Sequence, residues 1–142
     1  MTQVTTEGRG GTIARHAACS CGQLRVTTRG EPVRLSICHC LECQKRTGSP
    51  FGAQARFRRD QVTVEGRATE FTRIADSGNH LIFRFCPECG STVYWTNEGL
   101  PDVVAVAAGA FADRAFPAPR ISVYERHRHP WVSVPDGAEH VD

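Results

Sequence analysis

Apolar and polar residues alternate with a period of two along most of this chain, which argues for half-buried β-strands over amphipathic helices. Leu24, Val26 and Thr28 share one face of one such stretch, and Val62 and Val64 share one face of another. Further β-like runs occupy 71–74, 81–85, 92–95, 121–124 and 131–134. The run 103–106 reads as a buried strand, although the alanines after it leave a helix open. Glycine and proline punctuate the runs at 30–32, 48–50 and 116–119. A short helix or turn is expected over 41–46. Residues 1–11, ending in Gly8-Arg9-Gly10-Gly11, read as a flexible N-terminal tail, and 12–142 as a single domain without internal repeats or a long linker. The expected class is mostly β.

Composition narrows the partners more than the fold. A chain of 142 residues suffices for one modest core. The net charge of +2 and pI near 8.2 are mild, and both signs alternate along the chain, which argues against nucleic acid as a partner. Lys45 is the only lysine, and the abundant arginines suit carboxylate recognition. No apolar run approaches the roughly 18 residues of a membrane span. Residues 1–8 show no basic segment followed by an apolar one, so no secretory signal is expected. Clustered thiols in such a chain fit a reducing compartment, and cytoplasmic localisation is the expectation.

Seven cysteines change the picture most. They form three clusters: Cys19 and Cys21; Cys38, Cys40 and Cys43; Cys86 and Cys89. The number is odd, and close neighbours of this kind make poor disulfide partners but good chelating pairs for a tetrahedral zinc ion. Two partitions are open. One joins Cys40 and Cys43 to Cys86 and Cys89 and strands the other three. The other joins Cys19, Cys21, Cys86 and Cys89 in a structural site and leaves Cys38, Cys40 and Cys43 together; it uses every cysteine and is preferred. Gly22 after Cys21 and Gly90 after Cys89 let the backbone turn amide N–H groups toward the sulfurs, and Pro87 fixes φ early in its turn.

On an extended segment Cys38 and Cys40 point to one face and His39 to the other, and Cys43 returns after a turn. Three sulfurs would then grip one side of a second zinc ion and leave a position for water or an incoming thiol. A histidine could instead close that site, with His16, His80, His127, His129 and His140 available. Lys45 and Arg46 could offset the negative charge of three thiolates or hold a substrate carboxylate. Thr47 and Ser49, with amides near Gly48, could bind a peptide-like ligand, although the same residues read as an ordinary turn. Within 125–131, the histidines could shuttle protons and Trp131 could wall a pocket; a solvated basic face is the plainer reading. Substrate candidates are therefore Lys45, Arg46, Thr47, Ser49, His129 and Trp131. Phe83, Phe85, Tyr94 and Trp95 read as core, as does Phe51.

The three blocks Cys-Ser-Cys-Gly-Gln-Leu, Cys-His-Cys-x-x-Cys-Gln-Lys-x-x-Gly-x-x-Phe and Phe-Cys-Pro-x-Cys-Gly-Ser, in this order over 17–95, resemble the glutathione-dependent formaldehyde-activating enzyme family. That family also includes centromere-protein-V-like members. A weaker echo continues through Tyr124 and Trp131. The resemblance implies a zinc-stabilised β-tent fold with two zinc ions per chain. Residues matching Cys19, Cys21, Cys86 and Cys89 would hold the structural zinc, and those matching Cys38, Cys40 and Cys43 the catalytic one. It further implies carbon–sulfur lyase chemistry that joins glutathione, as co-substrate, to formaldehyde. The alternative is a non-catalytic binding or scaffold module with both ions structural; this sequence lacks the long basic, proline-rich stretch that would favour it.

Overall fold

Alternation along the strands builds two sheets whose facing sides share one core. The structure, a computed structural model, describes residues 4–7 and 12–142. The smaller sheet runs β1 (Val4–Glu7), β2 (Thr12–Ala18), β3 (Arg25–Arg29) and β6 (Val62–Glu65), all antiparallel. The larger takes β4 (Arg34–Cys38), β5 (Gly52–Arg58), β7 (Thr69–Ile74), β8 (His80–Phe85), β9 (Thr92–Asn97), β10 (Leu100–Ala107), β11 (Ile121–Val123) and β12 (Glu139–His140). Their spatial order is β12-β11-β4-β5-β10-β9-β8-β7, with β11 parallel to both neighbours. One helix, α1 (Leu41–Thr47), joins β4 to β5. The mostly β class is as expected. Of the segment 1–11 read as a tail, Val4–Glu7 pairs with β2, and 1–3 and 8–11 lie outside the described residues.

The two faces of the large sheet differ in kind. Leu35, Ala55, Phe57, Val93, Val104 and Val106 pack against Ala17, Leu24 and Val26 of the small sheet and its turn. Phe111 meets Phe57 at 6.3 Å and stacks on Phe116 at 4.5 Å, closing one end of this core. On the opposite face, register partners place Arg34, Arg56, Ala105, Trp95 and Phe83 in one row across five strands. Cys38 shares that face at the end of β4, four residues from Arg34.

The strands expected at 81–85 and 92–95 form, as do 62–64, 71–74 and 121–123; Val64, Phe71 and Ile74 remain exposed. The run 103–106 is strand, and the alanines beyond it turn into a 3-10 helix, Ala108–Phe111. The strand expected at 131–134 does not form. Pro130 and Pro135 bracket it without N–H donors for a ladder, Val132 N–H donates to the His129 carbonyl at 3.0 Å, and Arg128 donates to the Val132 carbonyl at 2.6 Å. Among the described residues no helix is long and apolar enough to cross a membrane.

Candidate metal centre and its cavity

Two turns that leave different sheets bring the first four sulfurs together. Cys19 and Cys21 sit where β2 turns into β3; Cys86 and Cys89 sit where β8 turns into β9. Gly22 and Gly90 adopt φ of 85° and 81°, the left-handed conformation each turn needs. All four sulfurs lie within 4.8 Å of one another. Cys21 Sγ is 3.6 Å from Cys19 Sγ and 3.7 Å from Cys86 Sγ. A tetrahedral ion with Zn–S bonds of about 2.3 Å requires sulfurs about 3.8 Å apart, so the spacing fits. N–H donors point at the sulfurs: Leu24 N–H at Cys19 and Glu88 N–H at Cys86, both at 3.3 Å, and Gln23 Nε2 at Cys86 at 3.0 Å. The Ser91 hydroxyl and then its amide pull the Cys89 thiol down to about 5. Thiolate character and an all-sulfur donor set suit zinc.

Cys38, Cys40 and Cys43 form the second group, again with sulfurs within 4.8 Å. Cys38 ends β4, Cys40 caps α1 by accepting from Cys43 N–H at 3.3 Å, and Cys43 lies on the helix's buried side. The Cys38 and Cys43 thiols donate toward Cys40 and hold it far below the ordinary thiol range, while Cys38, which shares its proton with Cys40, is pushed up. No fourth ligand joins this group among the described residues. His39 turns away: it is fully buried, and its Nε2 meets Ser122 Oγ at 2.9 Å.

The three sulfurs face a cavity of about 680 Å³, within the usual range for small-molecule sites. Leu81, Phe83 and Trp95 form an apolar wall. Five arginines also line it: Arg34, Arg46, Arg56, Arg73 and Arg126. The Arg46 guanidinium lies 4.4 Å from the Trp95 ring centroid and 5.6 Å from that of Phe83, and Arg73 lies 5.4 Å from Phe83. Tyr124 lines the cavity in a left-handed conformation with φ of 57°, a strain that non-glycine residues seldom carry. Its hydroxyl donates to Asp76 Oδ2 at 3.1 Å, and burial, followed by Asp76, raises its pKa.

The model of the family described as "Glutathione-dependent formaldehyde-activating enzyme" matches residues 14–127. The chain belongs to that family. A solved Rhodobacter sphaeroides protein, a structural-genomics target, is similar in fold, with a TM-score of 0.54 at 16% identity over 89% of this chain and 99% of that one. No curated protein matches the sequence.

In this formaldehyde-activating family member, the substrate candidates scatter. Arg46 lines the main cavity. Lys45 lines an adjoining hollow of about 380 Å³ and pairs with Glu42 at 3.4 Å. Thr47 and Ser49 do not line the cavity; the Thr47 hydroxyl donates to the Cys43 carbonyl at 2.8 Å and closes the helix end. His129 and Trp131 also lie off it. Trp131 is 70% exposed, and His129 Nε2 bonds Gln44 Oε1 at 3.0 Å. Gln44 Nε2 in turn donates to the His39 carbonyl at 2.9 Å, so His129 braces the tripod from behind. Phe83 and Trp95, expected as core, are buried but form the cavity wall, and Phe85 lines the adjoining hollow. The sequence reading missed Arg34, Arg56, Tyr124 and Gln44. Arg34 was within reach of it, because strand alternation from Cys38 places positions 36 and 34 on the same face.

Proposed function

We propose that this protein is a zinc-dependent enzyme of the carbon–sulfur lyase class. It joins a thiol, glutathione, to a small aldehyde such as formaldehyde, or cleaves the adduct. The observation that carries this reading is the three-sulfur group facing the cavity with no fourth ligand among the described residues. Cys19, Cys21, Cys86 and Cys89 would hold one zinc ion as a clamp between the sheets, and Cys38, Cys40 and Cys43 the other. When bound there, zinc favours the thiolate form of an incoming thiol and polarises an aldehyde oxygen.

This chain's own residues supply the rest. Arg46, held against Trp95 and Phe83, places a fixed positive charge at the cavity wall and offsets the excess negative charge of three thiolates. The apolar wall lowers water access, which strengthens each electrostatic contact inside. Tyr124 keeps its proton, which its hydroxyl gives to Asp76, and so adds no charge of its own to the cavity. Clustered thiols make the cytoplasm the compartment this chemistry suits.

The test is a rate measurement on protein shown by metal analysis to carry two zinc ions. Thiols add to formaldehyde spontaneously, so the rate with glutathione is compared with buffer and with Cys40→Ala. A rate above both supports the proposal; a rate equal to buffer at full zinc occupancy rejects it.

A further inference from the structure

We infer that Arg34 and Arg56 form a carboxylate clamp on the cavity wall away from the cysteine tripod, selecting a peptide-sized thiol that carries a free carboxylate. The inference rests on the thiol chemistry proposed above and names the feature of the thiol that is recognised. The two arginines are direct register partners on β4 and β5, on the cavity face of the sheet. Like charges directly opposite each other destabilise a sheet unless something answers them. Neither arginine enters an ion pair or side-chain hydrogen bond among the described residues, and Arg34 Nε is buried without a partner. Of the acids that line the cavity, Glu42 pairs with Lys45 and Asp76 accepts from Tyr124, while Asp142, which also lines it, enters no ion pair with either arginine. Burial, and then the charge of Arg34, lower the pKa of Arg56, as expected for a cation that lacks a counter-charge. On its other side Arg56 faces Ala105 of β10, whose methyl group leaves the guanidinium uncovered.

Spacing sets the ligand's size. Arg34 and Cys38 are four residues apart on one strand and one face, on the order of 13 Å along the backbone. A one- or two-carbon acid is too short to reach from the tripod to the clamp. In glutathione the sulfur is on the middle residue, so a terminal carboxylate lies about two residues, on the order of 7 Å, from it, and the arginine side chains close the remainder. Two guanidinium groups match the two oxygens of a carboxylate in paired, charge-assisted hydrogen bonds.

The test is calorimetric titration of the zinc-loaded protein with S-methylglutathione, whose sulfur is blocked and which cannot turn over. The probe should bind the wild type, and Arg34→Gln and Arg56→Gln should each weaken it by about tenfold or more. Its dimethyl ester, with both carboxyl groups blocked, should bind wild type and variants equally weakly, and Arg34→Lys should recover part of the acid's affinity. Circular dichroism and zinc content confirm that each variant is folded; if a glutamine variant is not, Arg34→Lys and Arg56→Lys carry the comparison, with intermediate affinity expected. Binding that ignores both arginines, an ester that binds as tightly as the acid, or no binding to the wild type would overturn the clamp. Because the titration reads no turnover, arginine-dependent binding in a protein without lyase activity would uphold the clamp while rejecting the proposed reaction.

Discussion

Removing Cys86 and Cys89 should cost the fold far more than removing Cys40. Either change leaves two sulfurs in the affected group, too few to hold zinc, so both variants should retain one ion of two. They differ in what the lost ion tied together. The four-sulfur group links positions 65 apart, on turns of different sheets. Cross-linking a loop of that length removes about 4 kcal/mol of unfolded-state entropy by the chain-entropy relation, which applies to metal clips as to disulfides. The tripod spans 38–43 only, for which the same relation gives about 2 kcal/mol. Even that is an upper bound, since β4 and the helix cap already order the segment: Cys43 N–H reaches Cys40 Sγ at 3.3 Å and Gln44 N–H the Cys40 carbonyl at 3.0 Å. At about 4 °C per kcal/mol for a chain of this size, Cys86→Ala with Cys89→Ala should melt about 15 °C below wild type, and Cys40→Ala no more than about 8 °C below. The assay is a thermal melt by circular dichroism in reducing, zinc-containing buffer, with zinc per chain measured on the same samples. Equal falls, or a lower melting point for the tripod variant, would refute the division of labour between the two groups.

Other perturbations probe the surroundings of the tripod. Ser122→Ala leaves the buried His39 ring nitrogen without its partner at 2.9 Å, at a cost of about 1–3 kcal/mol, so the melting point should fall by several degrees while both zinc ions remain. Ser122, and then His140, hold the Glu125 carboxyl below its ordinary value. A carboxylate depressed in this way adds stability that is fully present above its unfolded pKa and is lost as pH falls through the folded one. Melting points taken from about pH 6 down to about pH 3 should therefore fall more steeply for wild type than for Glu125→Gln, and parallel curves would contradict the assignment. Arg46→Gln removes the cation held 4.4 Å over Trp95; kcat/KM with glutathione and formaldehyde should drop by about tenfold with zinc content unchanged, and an unaltered value would remove Arg46 from the site.

The partition of the cysteines was legible because it depends on local facts: sulfur chemistry, short spacings, and glycines placed where a turn needs positive φ. Strands β2, β4 and β5 were harder to read, and the reason is physical. Arg15 of β2 is buried at 5% exposure because Phe116, 5.2 Å away, and Glu31 cover it from distant parts of the chain. Arg34, Gln54 and Arg56 occupy positions that alternation assigns to solvent, whereas the fold turns them toward a cavity. In both cases the covering partner is remote in sequence, so local alternation shows a polar face without showing what it meets. Trp131 errs in the other direction: an aromatic residue suggested a strand and a pocket wall, yet two flanking prolines deny it a ladder and leave it in water.

Register is what makes the cavity chemically competent. Arg34, Ser36 and Cys38 are alternate residues of β4, with Leu35 and Ile37 between them in the core. A slip of one residue would send the thiol and guanidinium inward and expose the two aliphatic side chains, so the strand must be pinned. The aliphatic positions pin it by burial. The parallel neighbour β11 does so by hydrogen bonding, with Val123 opposite Cys38 and the Val123 carbonyl accepting from His39 N–H at 3.1 Å. The His39–Ser122 contact locks the same register from the core side. Burial lowers the pKa of His39 and favours its neutral ring. A histidine in the middle of a cysteine cluster thus serves the tripod without touching a metal: it fixes which face of β4 the sulfurs occupy.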